Sequence, residues 1–393
     1  MKPFKLWNIF LKSKPQPLLL TPGPVILSPQ IQESLSQAMW HHRSHLFKNT
    51  LKQVSRQLKD IFQTKEDVLI LTSTGTGAME ASLSNSFSPQ DEVLCICAGK
   101  FGERWRDMAL AFQLKVNVIK VPWGQAVSIQ EIKKRLKQNK KIKALLISAC
   151  ETSTATQHPI KEIAQLLKDH PEVLFIVDAI TGLGTMELKM DEWGIDIMIA
   201  GSQKTFWLPA GLAFICLSKK AWKKSSNSKL PKYYFDLNRE KQAQTKGQTA
   251  FSSSVTLIRA LSVSLKLIQK TGVKNLILRG EALKKACHTF CETLDLKLLS
   301  SHPANALTAI EVSSSSLLKE KLEKNHQVFV AEGQGFLKNK ILRIGHLGPL
   351  SDKAFMKGLK ALALELKKRE PSVFTDKKIK SALKKAQCVL KSF

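Results

Sequence analysis

Two ionisable side chains follow apolar runs of the kind that form buried strands. Lys204 comes after Ile197-Met-Ile-Ala200 and a glycine turn, and Asp178 follows Leu174-Phe-Ile-Val177. Burial at such a position lowers the pKa of a lysine and makes its amine nucleophilic. A lysine can form a Schiff base with the aldehyde of pyridoxal phosphate, and an aspartate can keep the pyridine nitrogen protonated. The pair therefore suggests a pyridoxal phosphate site.

A glycine-containing segment offers a place for a phosphate. Thr72-Ser-Thr-Gly-Thr-Gly-Ala-Met-Glu80 stands between a strand-like run and a predicted helix. Glycine lets a backbone approach a ligand closely, and a helix N-terminus presents unpaired amides at the positive end of its dipole. The hydroxyls of Thr74 and Thr76 add donors. Alone, this pattern also describes an ordinary turn before a helix, so the combination with Asp178 and Lys204 is what favours a cofactor site.

Short apolar runs alternate with amphipathic stretches between about residues 50 and 220. Nearly continuous apolar runs are typical of strands buried on both faces. Their alternation with helices predicts an α/β fold with a mostly parallel, seven-stranded, doubly wound sheet. Ligands bind at the carboxyl ends of such strands, where the candidate residues fall. The runs are 68–72, 92–97, 116–120, 144–148, 174–177, 197–200 and 213–217.

Composition suggests how the remaining chain divides. Residues 1–17 form a basic N-terminal arm, and residues 18–270 form the large domain. Residues 271–370 predict a smaller C-terminal α+β domain, and residues 371–393 predict a basic, partly helical tail that begins at the helix breaker Pro371. The apolar patch of the arm is too short for a secretory signal, and no run approaches the ~18 residues of a membrane span. A cytoplasmic location without a membrane span is expected.

The chain has 393 residues and a formal net charge of +29. Such a charge raises the possibility of nucleic-acid binding. However, the lysines are spread over the polar faces of helical stretches, and arginine, which suits specific phosphate and base recognition, is much rarer. We therefore expect no specific nucleic-acid binding, although attraction to acidic partners stays open.

The seven cysteines, an odd number, indicate reduced thiols rather than a disulfide framework. Cys95 and Cys97 alternate along a strand-like run, and Cys287 and Cys291 lie four apart on a predicted helix. Either pair could bind a metal, but no second pair has zinc spacing. Packing in the core is the better explanation, and no metal is predicted.

Taken in order, these and further motifs resemble the class V aminotransferases, a family of fold-type I pyridoxal phosphate enzymes, in the alanine/serine–glyoxylate or serine–pyruvate branch. The resemblance covers about residues 18–368. It implies a fold-type I transferase that forms a homodimer with active sites at the subunit interface. The matching segments are Thr21-Pro-Gly-Pro24, His41-His-Arg-Ser44, Ser73-Thr-Gly-Thr76, Val177-Asp-Ala179, Gly201-Ser-Gln-Lys204, Tyr233-Tyr-Phe-Asp-Leu237, Lys246-Gly-Gln-Thr249, Gly333-Gln-Gly335 and Leu342-Arg-Ile-Gly-His346.

The resemblance implies a cofactor role for each matching residue. Lys204 is implied as the Schiff-base lysine and as the catalytic acid and base, and Asp178 as the partner of the pyridine nitrogen. Phe101 would stack on the ring, and Ser153 would hydrogen-bond the phenolic oxygen. Ser252 would reach the phosphate of the partner subunit's cofactor. The residues implied to bind the phosphate within the same subunit are Thr74, Gly75, Thr76 and Gln203.

For the substrate, the resemblance implies that Arg343 binds a carboxylate through its guanidinium fork, while Gly23 lines the pocket. The implied amino donor is alanine or serine, and the implied acceptor is glyoxylate or pyruvate. Two residues near these functions depart from the usual pattern. Ala155 stands where glycine is usual, and Glu332, where glycine is frequent, would place a carboxylate near Arg343 and alter acid binding.

The loop that carries Ser252 also departs from the family pattern. Ala250 and Ser253 replace two prolines, and Ser252 itself replaces a threonine. The hydroxyl is kept, but the loop is less rigid without its prolines.

Two alternatives stay open. The same fold supports other pyridoxal phosphate chemistry, such as that of lyases and cysteine desulfurases. A desulfurase needs a mobile cysteine near the substrate arginine, and none lies between Cys291 and Cys388, which counts against it. The second alternative is a basic scaffold with nucleic-acid affinity. The joint presence of Lys204, Asp178 and Arg343 favours catalysis.

Overall fold

The computed structural model describes residues 17–392, so all of the predicted N-terminal arm except Pro17 lies outside the described residues. The strands in this range are β1 (Leu18–Leu19), β2 (Val68–Leu71), β3 (Glu92–Cys97), β4 (Lys115–Lys120), β5 (Ile142–Ser148), β6 (Cys150–Glu151), β7 (Thr156–Gln157), β8 (Leu174–Asp178), β9 (Ile197–Gly201), β10 (Ala213–Leu217), β11 (Leu307–Glu311), β12 (Val328–Phe329), β13 (Ala331–Glu332) and β14 (Ile341–Gly345).

The helices of the described residues alternate with these strands through the first two thirds of the chain and predominate after it. They are α1 (Pro29–Ser36), α2 (His45–Phe62), α3 (Gly75–Ser84), α4 (Lys100–Ala111), α5 (Ile129–Gln138), α6 (Ile160–Leu167), α7 (Met190–Trp193), α8 (Lys219–Ser225), α9 (Leu237–Thr245), α10 (Val255–Thr271), α11 (Val273–Thr293), α12 (Ser315–His326), α13 (Asp352–Arg369) and α14 (Asp376–Lys391).

The largest sheet has seven strands in the order β2-β10-β9-β8-β5-β3-β4. Each of the seven predicted runs forms one of these strands, which confirms the predicted sheet. Its strands are parallel except β10, which runs antiparallel to both β2 and β9. The central strands β8 and β9 are buried at every position, as their apolar runs predict, whereas β4 is at the edge and is only partly buried.

Serine and threonine caps fix where several helices begin. The Ser44 hydroxyl accepts a hydrogen bond from the backbone N–H of Phe47 at the start of α2. Ser351 and Thr375 make the equivalent bonds at the starts of α13 and α14. Each such cap satisfies a backbone donor that the helix itself leaves unpaired.

A second core lies in the C-terminal part of the chain, around the three-stranded sheet β11-β14-β13. Strand β1 pairs in parallel with β12 and so ties the start of the described chain to this region. Helix α14, from the segment predicted as a basic tail, packs against α11. It buries Ile379, Ala382, Ala386 and Leu390, so this segment contributes to the second core.

No helix within residues 17–392 is long and apolar enough to cross a membrane. The same residues contain no group of three or more His, Cys, Asp or Glu side chains that could hold a metal ion. All seven cysteines are free thiols, and only Cys388 is exposed.

Candidate active site

Lys204 follows the end of β9 and is almost completely buried, with 8% of its surface exposed. Its Nζ donates a hydrogen bond to the carbonyl oxygen of Pro22. Burial lowers the pKa of Lys204 to about 8; the positive charge of Arg343 also lowers it, while Cys150 and Asp178 oppose the change. The amine therefore has a much larger neutral fraction near neutral pH than an ordinary lysine.

Asp178 ends β8, the parallel neighbour of β9, and pairs in register with Ile199. The carboxyl ends of both strands lie at one edge of the sheet, which brings Asp178 close to the segment that carries Lys204. Ser148 Oγ donates to Asp178 Oδ2 at 2.9 Å, and the N–H of Ile180 donates to Oδ1 at 2.9 Å. Burial raises the pKa of Asp178, and these hydrogen bonds oppose the rise. A cationic ring nitrogen beside this buried group would stabilise its ionised form.

The start of α3 has the features of an anion site. Thr74 is the N-cap residue, and its side chain makes no capping hydrogen bond. Its hydroxyl and the first amides of the helix are therefore free to bind an anion. A Cβ added to Gly75 would lie 2.3 Å from Ile180 Cδ1, and one added to Gly201 would lie 3.6 Å from Ile180 Cγ2. Ile180 thus brings the start of α3 next to the segment that precedes Lys204.

Gln203 lies in that same segment. Its Oε1 atom is buried and has no hydrogen-bond partner among residues 17–392. Buried side-chain polar atoms are rarely left unpaired, so this amide is suited to a polar ligand group. Rotation of the amide presents either its oxygen or its NH2 group.

Phe101 lies in the first turn of α4, and the buried carboxylate of Glu151 holds this turn. Glu151 Oε2 accepts hydrogen bonds from the N–H groups of Phe101 at 3.1 Å and Gly102 at 3.0 Å. Ser153 donates its hydroxyl to Glu151 and accepts the N–H of Lys100 at 3.0 Å. The Ser153 hydroxyl is thus bonded at the start of α4, and its contact with a phenolic oxygen stays a prediction.

Glu151 is a residue to which sequence reasoning gave no role. Burial raises its pKa, and the surrounding hydrogen bonds from Ser153, Gly102 and Phe101 oppose the rise. Its position just after the apolar run 144–148 was the available signal, since Asp178 was recognised from the same kind of pattern. Glu151 positions the backbone that carries Phe101.

Arg343 lies in the middle of β14 and is 6% exposed. Its Nε and one terminal nitrogen donate to the carbonyl oxygen of Glu332 at 3.0 and 2.7 Å, and the other terminal nitrogen donates to the carbonyl oxygen of Thr152 at 3.0 Å. Three of five N–H donors are thus used, which leaves one on each terminal nitrogen for a carboxylate. Burial lowers the pKa of Arg343 to about 10, so it stays charged at neutral pH.

The side chain of Glu332 points away from Arg343. Its carboxylate accepts hydrogen bonds from the Ser316 hydroxyl and from the N–H of Asn339, the latter at 2.9 Å. Only the backbone carbonyl of Glu332 contacts the guanidinium. The structure therefore does not pair this carboxylate with the guanidinium, and its effect on acid binding stays a prediction. At the other departure, Ala155 has a φ of 58°, a left-handed conformation that explains why glycine is usual there.

Gly23 lies against the side chain of Lys204. It has a φ of 114°, and an added Cβ would lie 2.7 Å from Lys204 Cδ and Cε. Nearby, a Cβ added to Gly345 would lie 2.1 Å from the carbonyl oxygen of Thr21. The chain around Gly23 is therefore held between β14 and Lys204, where any side chain would displace one of them.

Ser252 lies on the connection between α9 and α10. It is exposed and lines a surface cavity of about 540 Å³ together with His42, Arg43 and Arg239. Two residues further on, the N–H of Ser254 donates to Thr72 Oγ1 at 3.3 Å, close to the strand end that leads into α3. The other predicted cofactor residues follow strands β2, β3, β5, β8 and β9 or end one of them, at the carboxyl edge of the large sheet.

The residues present fit pyridoxal phosphate. A buried lysine of lowered pKa suits the aldehyde, the buried Asp178 carboxyl suits the ring nitrogen, and the uncapped start of α3 suits the phosphate. The unpaired Gln203 oxygen marks a place for a further polar contact. Lys204, Asp178, Thr74, Gly75, Thr76 and Gln203 would hold the group, with Phe101 beside them.

Comparison with known proteins gives a family match over most of the chain. The family described as Aminotransferase class-V matches residues 27–334. A 42 kDa subunit of the soluble hydrogenase of Anabaena cylindrica is 36% identical over 355 residues, 89% of this chain and 93% of that protein. The serine–glyoxylate aminotransferase of Arabidopsis thaliana is 30% identical over 361 residues, 89% of this chain and 90% of that protein.

Solved structures agree with the sequence match. The alanine–glyoxylate aminotransferase of a Nostoc species superposes with a TM-score of 0.85 at 25% identity. The similarity covers 93% of this chain and 97% of that one. It therefore includes both the seven-stranded sheet and the C-terminal core.

Proposed function

Because the chain belongs to the class-V aminotransferases, which are pyridoxal phosphate enzymes, we propose that it moves an amino group from alanine or serine to glyoxylate or pyruvate. The names of the Arabidopsis and Nostoc relatives support a small amino donor and glyoxylate as acceptor. The observation that carries the proposal is Lys204, a buried amine with a pKa of about 8 beside the buried carboxyl of Asp178.

The cofactor, when bound, supplies an electron-withdrawing ring that stabilises negative charge at the substrate Cα. Lys204 provides the proton transfers at this carbon. With a pKa of about 8, its Nζ both accepts and returns a proton near neutral pH, as efficient general acid–base catalysis requires. Asp178, held by Ser148 and the Ile180 amide, keeps its carboxylate fixed toward a cationic ring nitrogen.

Arg343 binds and orients the substrate. Its guanidinium is fixed by two backbone carbonyls, so little further ordering is needed when a carboxylate binds the two remaining N–H groups. Gly23 lies against Lys204 and has no side chain, so the Lys204 amine keeps its place beside the substrate. We therefore assign Lys204 and Asp178 as catalytic residues, and Arg343 and Gly23 as substrate-binding residues.

We also propose that the enzyme acts as a homodimer in which Ser252 reaches the partner subunit's cofactor phosphate. The support is the exposed position of Ser252 in a basic cavity with Arg43 and Arg239. The exposed apolar side chains of Tyr233 and Met39, at 73% and 72%, are further candidates for burial between subunits. Cytoplasmic location remains a prediction from the sequence.

The absorbance spectrum of the purified protein with pyridoxal phosphate tests the proposed function. We expect a visible band from the lysine-bound cofactor. Lys204→Ala should abolish this band and lower the activity by at least ~1,000-fold. Adding alanine or serine without an acceptor should convert the band to that of the aminated cofactor and release one keto acid per site. Glyoxylate or pyruvate should then restore it.

The alternatives give different results in the same experiment. A lyase or desulfurase would release ammonia or sulfur repeatedly without an acceptor and would not leave the cofactor aminated. A scaffold with nucleic-acid affinity would give no band and would bind nucleic acid with a steep dependence on salt. Either result would contradict the proposal.

A further inference from the structure

Arg104, in the second turn of α4, connects two parts of the candidate cofactor site. Its Nη1 atom donates a hydrogen bond to Thr76 Oγ1 at 3.0 Å. Its guanidinium carbon lies 4.8 Å from the centroid of the Phe101 ring, over the ring face. Thr76 belongs to the first turn of α3, the predicted phosphate site, and Phe101 is the predicted stacking residue. One side chain thus contacts both.

The hydrogen bond to Thr76 fixes what the threonine hydroxyl can do. A hydroxyl has one O–H donor and two acceptor lone pairs. Because Arg104 occupies an acceptor position of Thr76 and can only donate, the O–H of Thr76 is left to donate to another group. At the start of a helix, that arrangement suits a phosphate oxygen.

The charge of Arg104 is not used by an ion pair. The acidic residues next to it on α4 are taken by other partners: Glu103 pairs with Lys100 at 2.8 Å, and Asp107 pairs with Arg106 at 2.7 Å. Among residues 17–392 no carboxylate lies within ion-pair distance of Arg104. A half-buried guanidinium beside a helix N-terminus therefore adds to the positive potential at the start of α3.

We propose that Arg104 is a further cofactor-positioning residue, which commits the Thr76 hydroxyl to the phosphate of pyridoxal phosphate. The inference rests on the proposed function only in taking the ligand to be pyridoxal phosphate. The favourable effect of the Arg104 charge on ionisation of Asp178 supports the same arrangement.

The test compares pyridoxal phosphate with pyridoxal, which lacks the phosphate. Apoenzyme of the wild type, Arg104→Met and Arg104→Lys is titrated with each compound, and binding is followed by the visible absorbance band. We expect Arg104→Met to weaken binding of pyridoxal phosphate by about 10-fold to 100-fold, the range for a hydrogen bond to a charged group. Binding of pyridoxal should change by less than about 2-fold, and Arg104→Lys should recover part of the loss.

Arg106→Met is the matched control, because it removes a neighbouring positive charge of α4 that already pairs with Asp107. It should leave both affinities unchanged. Thermal melting of the apoenzymes checks folding. If Arg104→Met does not fold, the comparison is made with Arg104→Lys, whose loss should again be confined to the phosphorylated compound.

Coupling with Thr76 completes the experiment. If Arg104 acts through that hydroxyl, the losses in Arg104→Met and Thr76→Val should be strongly non-additive in the double variant. Equal weakening of pyridoxal and pyridoxal phosphate would overturn the inference, and so would unchanged affinity for both. A wild-type protein that binds neither compound would contradict the proposed function instead, since the inference concerns only the difference between variants.

Discussion

The candidate site has two ends that are built in different ways. The cofactor end lies on neighbouring strand ends of the parallel sheet, where Asp178 ends β8 and Lys204 follows β9. The substrate end comes from distant parts of the chain, since Arg343 in β14 is held by the carbonyl groups of Glu332 and Thr152, beside the chain at Gly23. The first depends on local strand patterns, and the second on tertiary contacts. Substitutions at the two ends should therefore have separable effects on chemistry and on substrate binding.

The largest effect is expected at the cofactor end. Asp178→Asn keeps the shape of the side chain but removes its charge, so the ring nitrogen loses the group that keeps it protonated. We expect kcat to fall by at least about 100-fold, comparable to removing a preorganised electrostatic group from an active site. The KM for the amino acid should change little. Steady-state kinetics measure both, and near-normal turnover would show that the pairing assigned to Asp178 is incorrect.

At the substrate end, Arg343→Met should change binding rather than chemistry. Losing the two free N–H donors should raise KM for the amino and keto acids by about 10-fold to 100-fold, while affinity for pyridoxal phosphate should stay nearly constant. The carbonyl groups of Glu332 and Thr152 also lose their partner, which should lower the free energy of unfolding by about 1–3 kcal/mol. Arg343→Lys, which keeps the charge but not the fork, is the matched control. A fall in kcat with an unchanged KM would contradict the division between the two ends.

Sequence patterns predicted the cofactor end more completely than the substrate end, for a physical reason. Strands buried on both faces have recognisable apolar runs, and parallel strands bring their ends to one edge, so Asp178 and Lys204 were found together. The antiparallel direction of β10 and the orientation of the Glu332 side chain have no such local signature. Glu332 lies on a strand of two residues, and its outward direction is set by Ser316 and Asn339.

The roles of Glu151 and Ser153 show the same limit at the cofactor end itself. The motif around them was recognised, but a motif does not show which group receives the single hydroxyl proton of Ser153. In the structure the Ser153 hydroxyl donates a hydrogen bond to Glu151, whose carboxylate also holds the first turn of α4. Similarly, Arg104 carried no sequence signal because its contact with Thr76 is made between two helices by tertiary packing, which no local pattern shows.

The two ends are also coupled by charge, which gives a pH prediction. Burial lowers the pKa of Lys204 to about 8, and the positive charge of Arg343 contributes to this shift. The rate at which apoenzyme captures pyridoxal phosphate should rise about 10-fold per pH unit below pH 8 and level off above it, as the neutral amine increases. Arg343→Met should move the midpoint to higher pH. A profile still rising beyond about pH 10, the range of an ordinary lysine, would show that Lys204 is not desolvated.

The same shift affects stability with a definite sign. The folded-state pKa of Lys204 lies below its unfolded value, so between them the unfolded chain binds the extra proton. The free energy of unfolding of the apoenzyme should therefore increase, through this group, as pH rises from about 8 toward the ordinary pKa of a lysine. Lys204→Met should remove that dependence.

The smallest effect is expected at Glu332, where the sequence suggested a carboxylate near Arg343. Glu332→Gly removes the carboxylate but keeps the backbone carbonyl that holds Arg343, so KM for both substrates should change by less than about 2-fold. The substitution should instead lower the free energy of unfolding by about 1 kcal/mol, because the Ser316 hydroxyl and the N–H of Asn339 lose a charged acceptor near the surface. Glu332→Gln, which keeps an acceptor for both donors, should recover most of it in thermal or denaturant unfolding. If Glu332→Gly instead altered KM as strongly as Arg343→Met, the side chain would have to turn toward the guanidinium in solution, and the substrate end would be set by side-chain charge rather than by backbone contacts.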